Sequence, residues 1–363
     1  MIKRFLALVV LVGGLSSCDK NEVTPLVIPS AYDGSAFSAN TTNEYELRTN
    51  FAAFVRELQK GRAAGTVVTA TALRTTFEAG GTNSVSANLP ADQRPAYLAM
   101  FDEVEKASRG IGYVFGLPPA QNGQGGVNNG YLYDENGLEI EQILDKGSFG
   151  LIFFRKGQAL LQNPTLANLD KALALYGANP TFPNTPTVSR TAQPDVLMAN
   201  YGARRTPAAG GLYLEVRDAF IKAQAAIKAG ADYNKERDEA IQAIILGWEK
   251  VNAATVINYL FSTETGLTTT NADQRTLSIA MHAHAESIGF IQGFKGAAGR
   301  RITDAQIDAA LASLNATQPF RLIGSPTEIA KLSALRRTLQ SIYGFTDAQV
   351  EGFRNNWITV EQR

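Results

Sequence analysis

From Leu212 to the C-terminus, apolar residues return every three or four positions, and the two-residue alternation of a half-buried strand is nearly absent. That periodicity admits helices and little else. It predicts helices over 212–229, 233–262, 271–295, 303–313, 325–342 and 345–358. The first half carries the same signal between irregular stretches. "NEYELRTNFAAFVRELQKG" sets Leu47, Phe51, Phe54, Val55 and Leu58 at helical spacing, with Gly61 as its stop. "ATALRTTFE" at 70–78, "ADQRPAYLAMFDEVEKASRG" at 91–110 and "TLANLDKALALYG" at 165–177 read as further helices. The most apolar long helix is expected over 138–162, with Gly147 and Gly150 inside it. A glycine inside a helix costs stability, so these two suggest a kink or a close helix contact. The fold class expected is all-α, an orthogonal or up-and-down multi-helix bundle.

Two stretches interrupt the pattern. Residues 110–137 are rich in Gly and Asn and read as one long loop, with room for a small hairpin around "GYLYDENG". Its "GIGYVFG" lacks the spacing and the strand–helix setting of a dinucleotide site. Residues 178–211 are rich in Pro, Thr and Asn and read as a connector, with a short helix at "PDVLMANYGARR". The expected organisation is a single helical domain, 44–361, of two halves at about 44–177 and 212–361.

The N-terminus has a different character. Lys3 and Arg4 precede the uncharged run "FLALVVLVGGL", then small residues, then Cys18, the only cysteine in the chain. These are the parts of a secretory signal, and the run is shorter than the ~20 residues of a spanning helix. "LSSC" at 15–18 resembles the lipobox of bacterial lipoproteins. That resemblance implies removal of 1–17 and lipid on Cys18; the alternative is an ordinary secreted protein with a free thiol. Each buried methylene contributes about 0.8 kcal/mol and stable anchoring takes more than one chain, which several acyl chains on one cysteine supply. Residues 18–43, rich in Pro, Ser, Thr and Asn, read as a lipidated cysteine and flexible tether. The location expected is the outer membrane, on its periplasmic face or at the cell surface.

Lys and Arg number 34, and so do Asp and Glu. Loss of Lys3 and Arg4 with the signal leaves two more acids than bases, which gives no footprint for nucleic acid. Only His282 and His284 are available for histidine chemistry. Both lie in "TNADQRTLSIAMHAHAESIGFIQGFKG", 270–296, whose start looks capped by Asn271 with Gln274 three residues on. At 100° per residue, Arg275, Ser278, Glu286, Gly289 and Gly293 share the face of His282. His284 falls in the opposite, apolar stripe and reads as a packed core histidine. His282 and Glu286 at i, i+4 suit one transition metal, iron or zinc, or a buried hydrogen-bonded pair. No HExxH and no G-x-S-x-G is present. Glu139 and Glu141 stand close in sequence, yet nothing marks them as an acid–base couple.

Three blocks resemble the imelysin-like helical lipoproteins of Gram-negative bacteria, and within them a sister group classed as a domain of unknown function. They are "IPSAYDG…NEYELRTNFAAFVREL" at 28–58, "YDENGLEIEQILDKGSFG" at 133–150 and "HAHAESIGFIQGF" at 282–294. The resemblance implies a bundle of two related helical halves. Some members are linked to iron uptake and carry a His-x-x-Glu signature. This chain has His-x-x-x-Glu at His282 and Glu286 and His-x-Glu at His284 and Glu286 instead. The expected function is a lipid-anchored envelope protein of non-catalytic binding or accessory-uptake type, its partner a protein or small ligand. A metal-dependent hydrolase and a surface adhesion or assembly partner are the alternatives. If one site exists, it is expected on the face of His282 and Glu286, with Glu139 or Gln142 nearby.

Overall fold

The computed structural model describes residues 24–116, 123–185 and 194–363. The signal expected at 1–17 and the lipidated Cys18 lie outside the described residues. The fold is all-α with one small hairpin among the described residues.

The chain enters through a short turn of helix, α1 (Phe37–Asn40), and the first long helix, α2 (Thr42–Gln59). Residues from Tyr32 onward correct the expectation of a flexible tether reaching to 43. Tyr32, Phe37 and Thr41 are buried. The Tyr32 hydroxyl donates to Asp170 Oδ1 at 2.6 Å, and the Asp33 amide donates to Gln224 Oε1 at 2.8 Å. The polar composition hid two aromatic anchors. Next come α3 (Ala70–Glu78), α4 (Val85–Asn88) and α5 (Arg94–Ser108). Thr69 caps α3 by accepting from the Ala72 amide.

The long loop then forms β1 (Gly126–Asn128) and β2 (Tyr131–Tyr133), antiparallel, with Asn128 opposite Tyr131. Asn129 and Gly130, both at positive φ, make the two-residue turn, a conformation these residue types tolerate. "GIGYVFG" turns out to be packing. Tyr113 and Phe115 cluster with Tyr133 and Met281, and Gln274 brackets Phe115 through both its amide and its carbonyl.

The helix expected over 138–162 is three pieces: α6 (Ile140–Ser148), a π-helical segment at Phe149–Phe154, and α7 (Arg155–Leu161). α8 (Leu166–Tyr176) starts at the Thr165 cap and ends at Gly177 in the left-handed region. α9 (Leu197–Arg205) occupies the expected connector. This helix is part of the core: Met198, Ala199 and Ala203 are buried and α9 packs on the long helix of the second half.

The second half runs α10 (Leu212–Ala229), α11 (Asn234–Thr268), α12 (Gln274–Gly293), α13 (Asp304–Ser313), α14 (Pro326–Tyr343), α15 (Asp347–Gly352) and α16 (Trp357–Val360). α11 is apolar around most of its circumference, so other helices surround it: α9, α10, α12 and α14 all pack on it. Capping boxes at Thr303/Gln306 and Thr346/Gln349 start α13 and α15. The helix expected over 345–358 breaks between Gly352 and Trp357. The cap of α12 is Asp273, whose Oδ1 accepts from the Thr276 amide at 2.8 Å, and not Asn271, which sits at φ 55°. Gln274 is engaged with Phe115 instead of closing a capping box.

α6 lies against α12 with almost no side chain between them. A Cβ built on Gly289 would stand 2.5 Å from the Gln142 carbonyl oxygen, and one on Gly293 would stand 2.5 Å from that of Gly147. The space left by these glycines is therefore filled by the backbone of α6. This close approach brings Glu139 and Gln142 up to the face of His282.

Candidate functional site

The site begins at the turn between β2 and α6. Asp134 Oδ1 accepts from the amides of Asn136 and Leu138, both at 2.8 Å, and fixes where α6 starts. Burial pushes the Asp134 carboxyl up to about 6. Glu139 follows at the N-cap position of α6 and is fully buried. Its Oε2 lies 2.6 Å from His282 Nδ1 on α12. The other imidazole nitrogen, Nε2, faces Glu286 Oε2 at 3.5 Å. His282 thus stands between two carboxylates from two helices.

Those carboxylates are themselves held. Arg62, just past the end of α2, binds Glu141 through Nε and Nη2, each at 2.7 Å, and lies 3.6 Å from Glu139. Such a two-pronged pairing is the strong form of an ion pair. The Gln142 amide donates weakly to Glu139 and Glu141, at 3.4 Å and 3.3 Å. Deeper in, Glu286 Oε1 accepts from the Tyr259 hydroxyl at 3.0 Å, with Lys146 Nζ at 3.7 Å. Lys146 also bonds Asp145 at 2.7 Å and lies over the rings of Phe149 and Tyr201. Tyr131 of the hairpin stacks on the His282 ring, centroids 4.1 Å apart and planes 14° off parallel.

Arg62, Glu139, His282, Glu286 and Lys146 therefore form a line of alternating charge across the α6–α12 contact. Arg62 and His282, with side chains 30 % and 20 % exposed, mark its outer end; Lys146, at 12 %, its inner one.

Proton affinities follow from this layout. Burial disfavours a charged His282, but Glu139 and then Glu286 outweigh it and raise its pKa above the ordinary value. Burial and the neighbouring Glu139 push Glu141 up to about 7, against the pull of Arg62. Burial would lower Lys146, yet Asp145, Tyr201 and Glu286 hold it well above the usual amine. The arrangement can hold a proton on His282 and present a polar edge to a ligand.

The four residues singled out from sequence, Glu139, Gln142, His282 and Glu286, come together. The metal question has a geometric answer at one level. Nδ1 and Nε2 point away from each other, so Glu139 and Glu286 cannot share one ion with His282. Among the described residues no group of three or more His, Cys, Asp or Glu side chains is placed to hold a metal ion. His282 Nε2 and Glu286 Oε2 are two donors without a third. His284 sits where its stripe predicts, fully buried, with Nε2 2.8 Å from the Leu314 carbonyl and Nδ1 without a partner. Burial lowers its pKa to about 4.

Arg62, Tyr131, Lys146 and Tyr259 were not legible as site residues. Lys146 offered one faint signal, as the single cation of α6. The others reach the site only through the tertiary fold. No family model, no curated protein and no solved structure matches this chain.

Proposed function

We propose that this chain is a lipid-anchored protein of the Gram-negative cell envelope, non-catalytic and of binding or accessory-uptake type, with its ligand site where α6 meets α12. One observation carries this reading: the line of charges from Arg62 through His282 to Lys146, mostly buried, with an open end at His282. Taking each ion out of water costs several kcal/mol. Apolar side chains would fill the same space at less cost. Perturbed titratable groups gathered at one partly open place are a mark of functional sites. The resemblance to imelysin-like lipoproteins supports the same reading and points to uptake.

No described helix is long and apolar enough to cross a membrane. The reading assigns the anchor to lipid on Cys18, in the outer membrane, facing the periplasm or the surface. Its metal-linked form has iron or zinc held by His282 Nε2 and Glu286 Oε2, the remaining positions filled by the ligand or by water.

Calorimetric titration of the untagged protein with iron, zinc and copper tests the metal-linked form, beside elemental analysis of the protein as purified. The control is the double variant His282→Ala/Glu286→Ala. Binding that disappears in the variant, with little change in melting temperature, supports a ligand site. No binding by the intact protein, with a large loss of stability in the variant, leaves the pair as architecture.

A further inference from the structure

A pocket lies where α9 ends and α10 begins, with residues of α15 on its wall. It is a cleft of about 440 Å³ lined by Arg205, Gly210, Gly211, Leu212, Phe353 and Trp357. Its volume falls in the range of small-molecule sites. Arg205, at the last turn of α9, is 2 % exposed and forms no ion pair with any described carboxylate. Its Nη1 donates to the Asn355 carbonyl at 3.3 Å, its guanidinium lies 5.5 Å from the centroid of the Tyr259 ring, and its Nε has no partner. A buried guanidinium with so little compensation is costly by itself.

The opposite wall adds positive potential. α10 has eighteen residues, and no side chain caps its N-terminus. The Tyr213 amide has only a long contact of 3.4 Å to Thr206 Oγ1. Unsatisfied amides at the start of a helix carry about half a positive charge. Gly211, at φ 81°, lets the chain turn into α10 here, since a Cβ would meet Thr206 at 2.8 Å. Besides Thr206 and Gln349 the rest of the cleft is apolar: Leu212 and Phe353 are buried and Trp357 is half-buried, its Nε1 tied to the Gly352 carbonyl at 3.0 Å. Two acids are near. Glu215, exposed, stands at the rim, and Glu361 is occupied by the Ala208 amide and Arg363.

We infer that this cleft binds a small organic carboxylate with an apolar body, the carboxylate between Arg205 and the α10 N-terminus and the body against Phe353 and Trp357. A carboxylate offers two coplanar oxygens that match the planar fork of a guanidinium, and the apolar remainder of the cleft suits an organic body. Glu215 at the rim selects against a ligand with a second negative charge at its far end. Arg205 touches Tyr259 of the His282 site, but the cleft's lining shares no residue with that site and the inference does not depend on it.

The test uses the full chain, phenylacetate as probe and phenylacetamide as its uncharged counterpart, read by quenching of Trp357 fluorescence with Trp357→Phe as the silent control. Phenylacetate should bind and phenylacetamide should bind at least about tenfold more weakly, because a charge-assisted pair is lost. Arg205→Met should weaken phenylacetate by about tenfold or more while leaving the melting temperature no lower, since the guanidinium it removes lacks an ionic partner. Gly210→Leu is a second, independent variant. Gly210 lines the cleft and a Cβ there meets nothing within 4 Å, so a leucine at this lining position is accommodated without displacing a neighbour. It should abolish binding. Equal affinity for acid and amide, or full binding by either variant, overturns the proposal. So does the absence of any binding by the unaltered chain.

Discussion

Gly150→Ala places a methyl group where the backbone of α12 already runs. A Cβ at Gly150 would stand 2.3 Å from both the carbonyl carbon and oxygen of Gly293 and 2.8 Å from the Phe294 amide nitrogen. Ordinary contact begins near 3.4 Å, so the π-helical segment and the end of α12 must part by about 1 Å. None of the atoms in the way is a side chain that can turn aside. Overpacking of this kind costs about 1–3 kcal/mol, and backbone neighbours put it at the upper end. Alanine recovers about 1 kcal/mol of helix propensity. The net expectation is a loss of about 2 kcal/mol or more. Gly147→Ala is the internal control, one turn earlier on the same helix face. Its Cβ would meet only the Tyr97 hydroxyl at 3.2 Å and the Gly289 carbonyl at 3.8 Å. Tyr97 can shift by a few tenths of an ångström, so this variant should fall within about 1 kcal/mol of the parent. With unfolding entropy near 2.1 cal/mol/K per residue and roughly 330 folded residues, 2 kcal/mol lowers the melting temperature by about 3 °C. Urea titration gives the same comparison through the midpoint at unchanged slope. If Gly150→Ala melts no lower than Gly147→Ala, backbone contact does not set the α6–α12 spacing.

Three further outcomes are expected. His284, with its pKa held down to about 4 by burial, takes up a proton in the unfolded chain first; stability is lost as pH falls from 6.5 toward 4, by about 3 kcal/mol over the full gap. The difference in unfolding free energy between the parent and His284→Leu should therefore slope over that window and be flat above pH 7. His282 has the opposite sign: its stabilisation is complete below 6.5 and lost as pH rises through its raised folded pKa. Glu139→Gln removes the larger of its two carboxylate partners, and NMR titration should find the His282 midpoint lower than in the parent; an unmoved midpoint contradicts the contact with Glu139. Cys18→Ala should shift the protein from the membrane to the soluble fraction, and retention after a high-salt wash would sink the lipid-anchor proposal.

The helices were readable because each is a local matter: an apolar stripe, a cap, a glycine stop. α2, α3, α8, α10 and α12 stand close to where periodicity put them. The departures have local causes too. Asn271 tolerates positive φ and gave up the cap to Asp273. The segment before α2 looked like tether because Pro, Ser and Thr outnumber Tyr32 and Phe37, yet the two aromatics fix its path. The candidate site divides in the same way. His282 and Glu286 share one helix and could be paired by counting. Glu139, 143 residues away from His282, meets it because glycines let α6 and α12 touch, and Arg62, 79 from Glu141, reaches the site from the end of α2.

The two histidines make the point most sharply. They are two residues apart on one helix, so they point about 200° away from each other. One reaches the carboxylates of Glu139 and Glu286 and is raised; the other reaches only the Leu314 carbonyl in a dry core and is lowered. Composition cannot distinguish them, and neither can their neighbours in sequence, since each is flanked by alanine or methionine. The helical repeat alone separates a group whose proton affinity is raised from one whose proton affinity is lowered. The sign of each shift then depends on what the fold sets opposite that face.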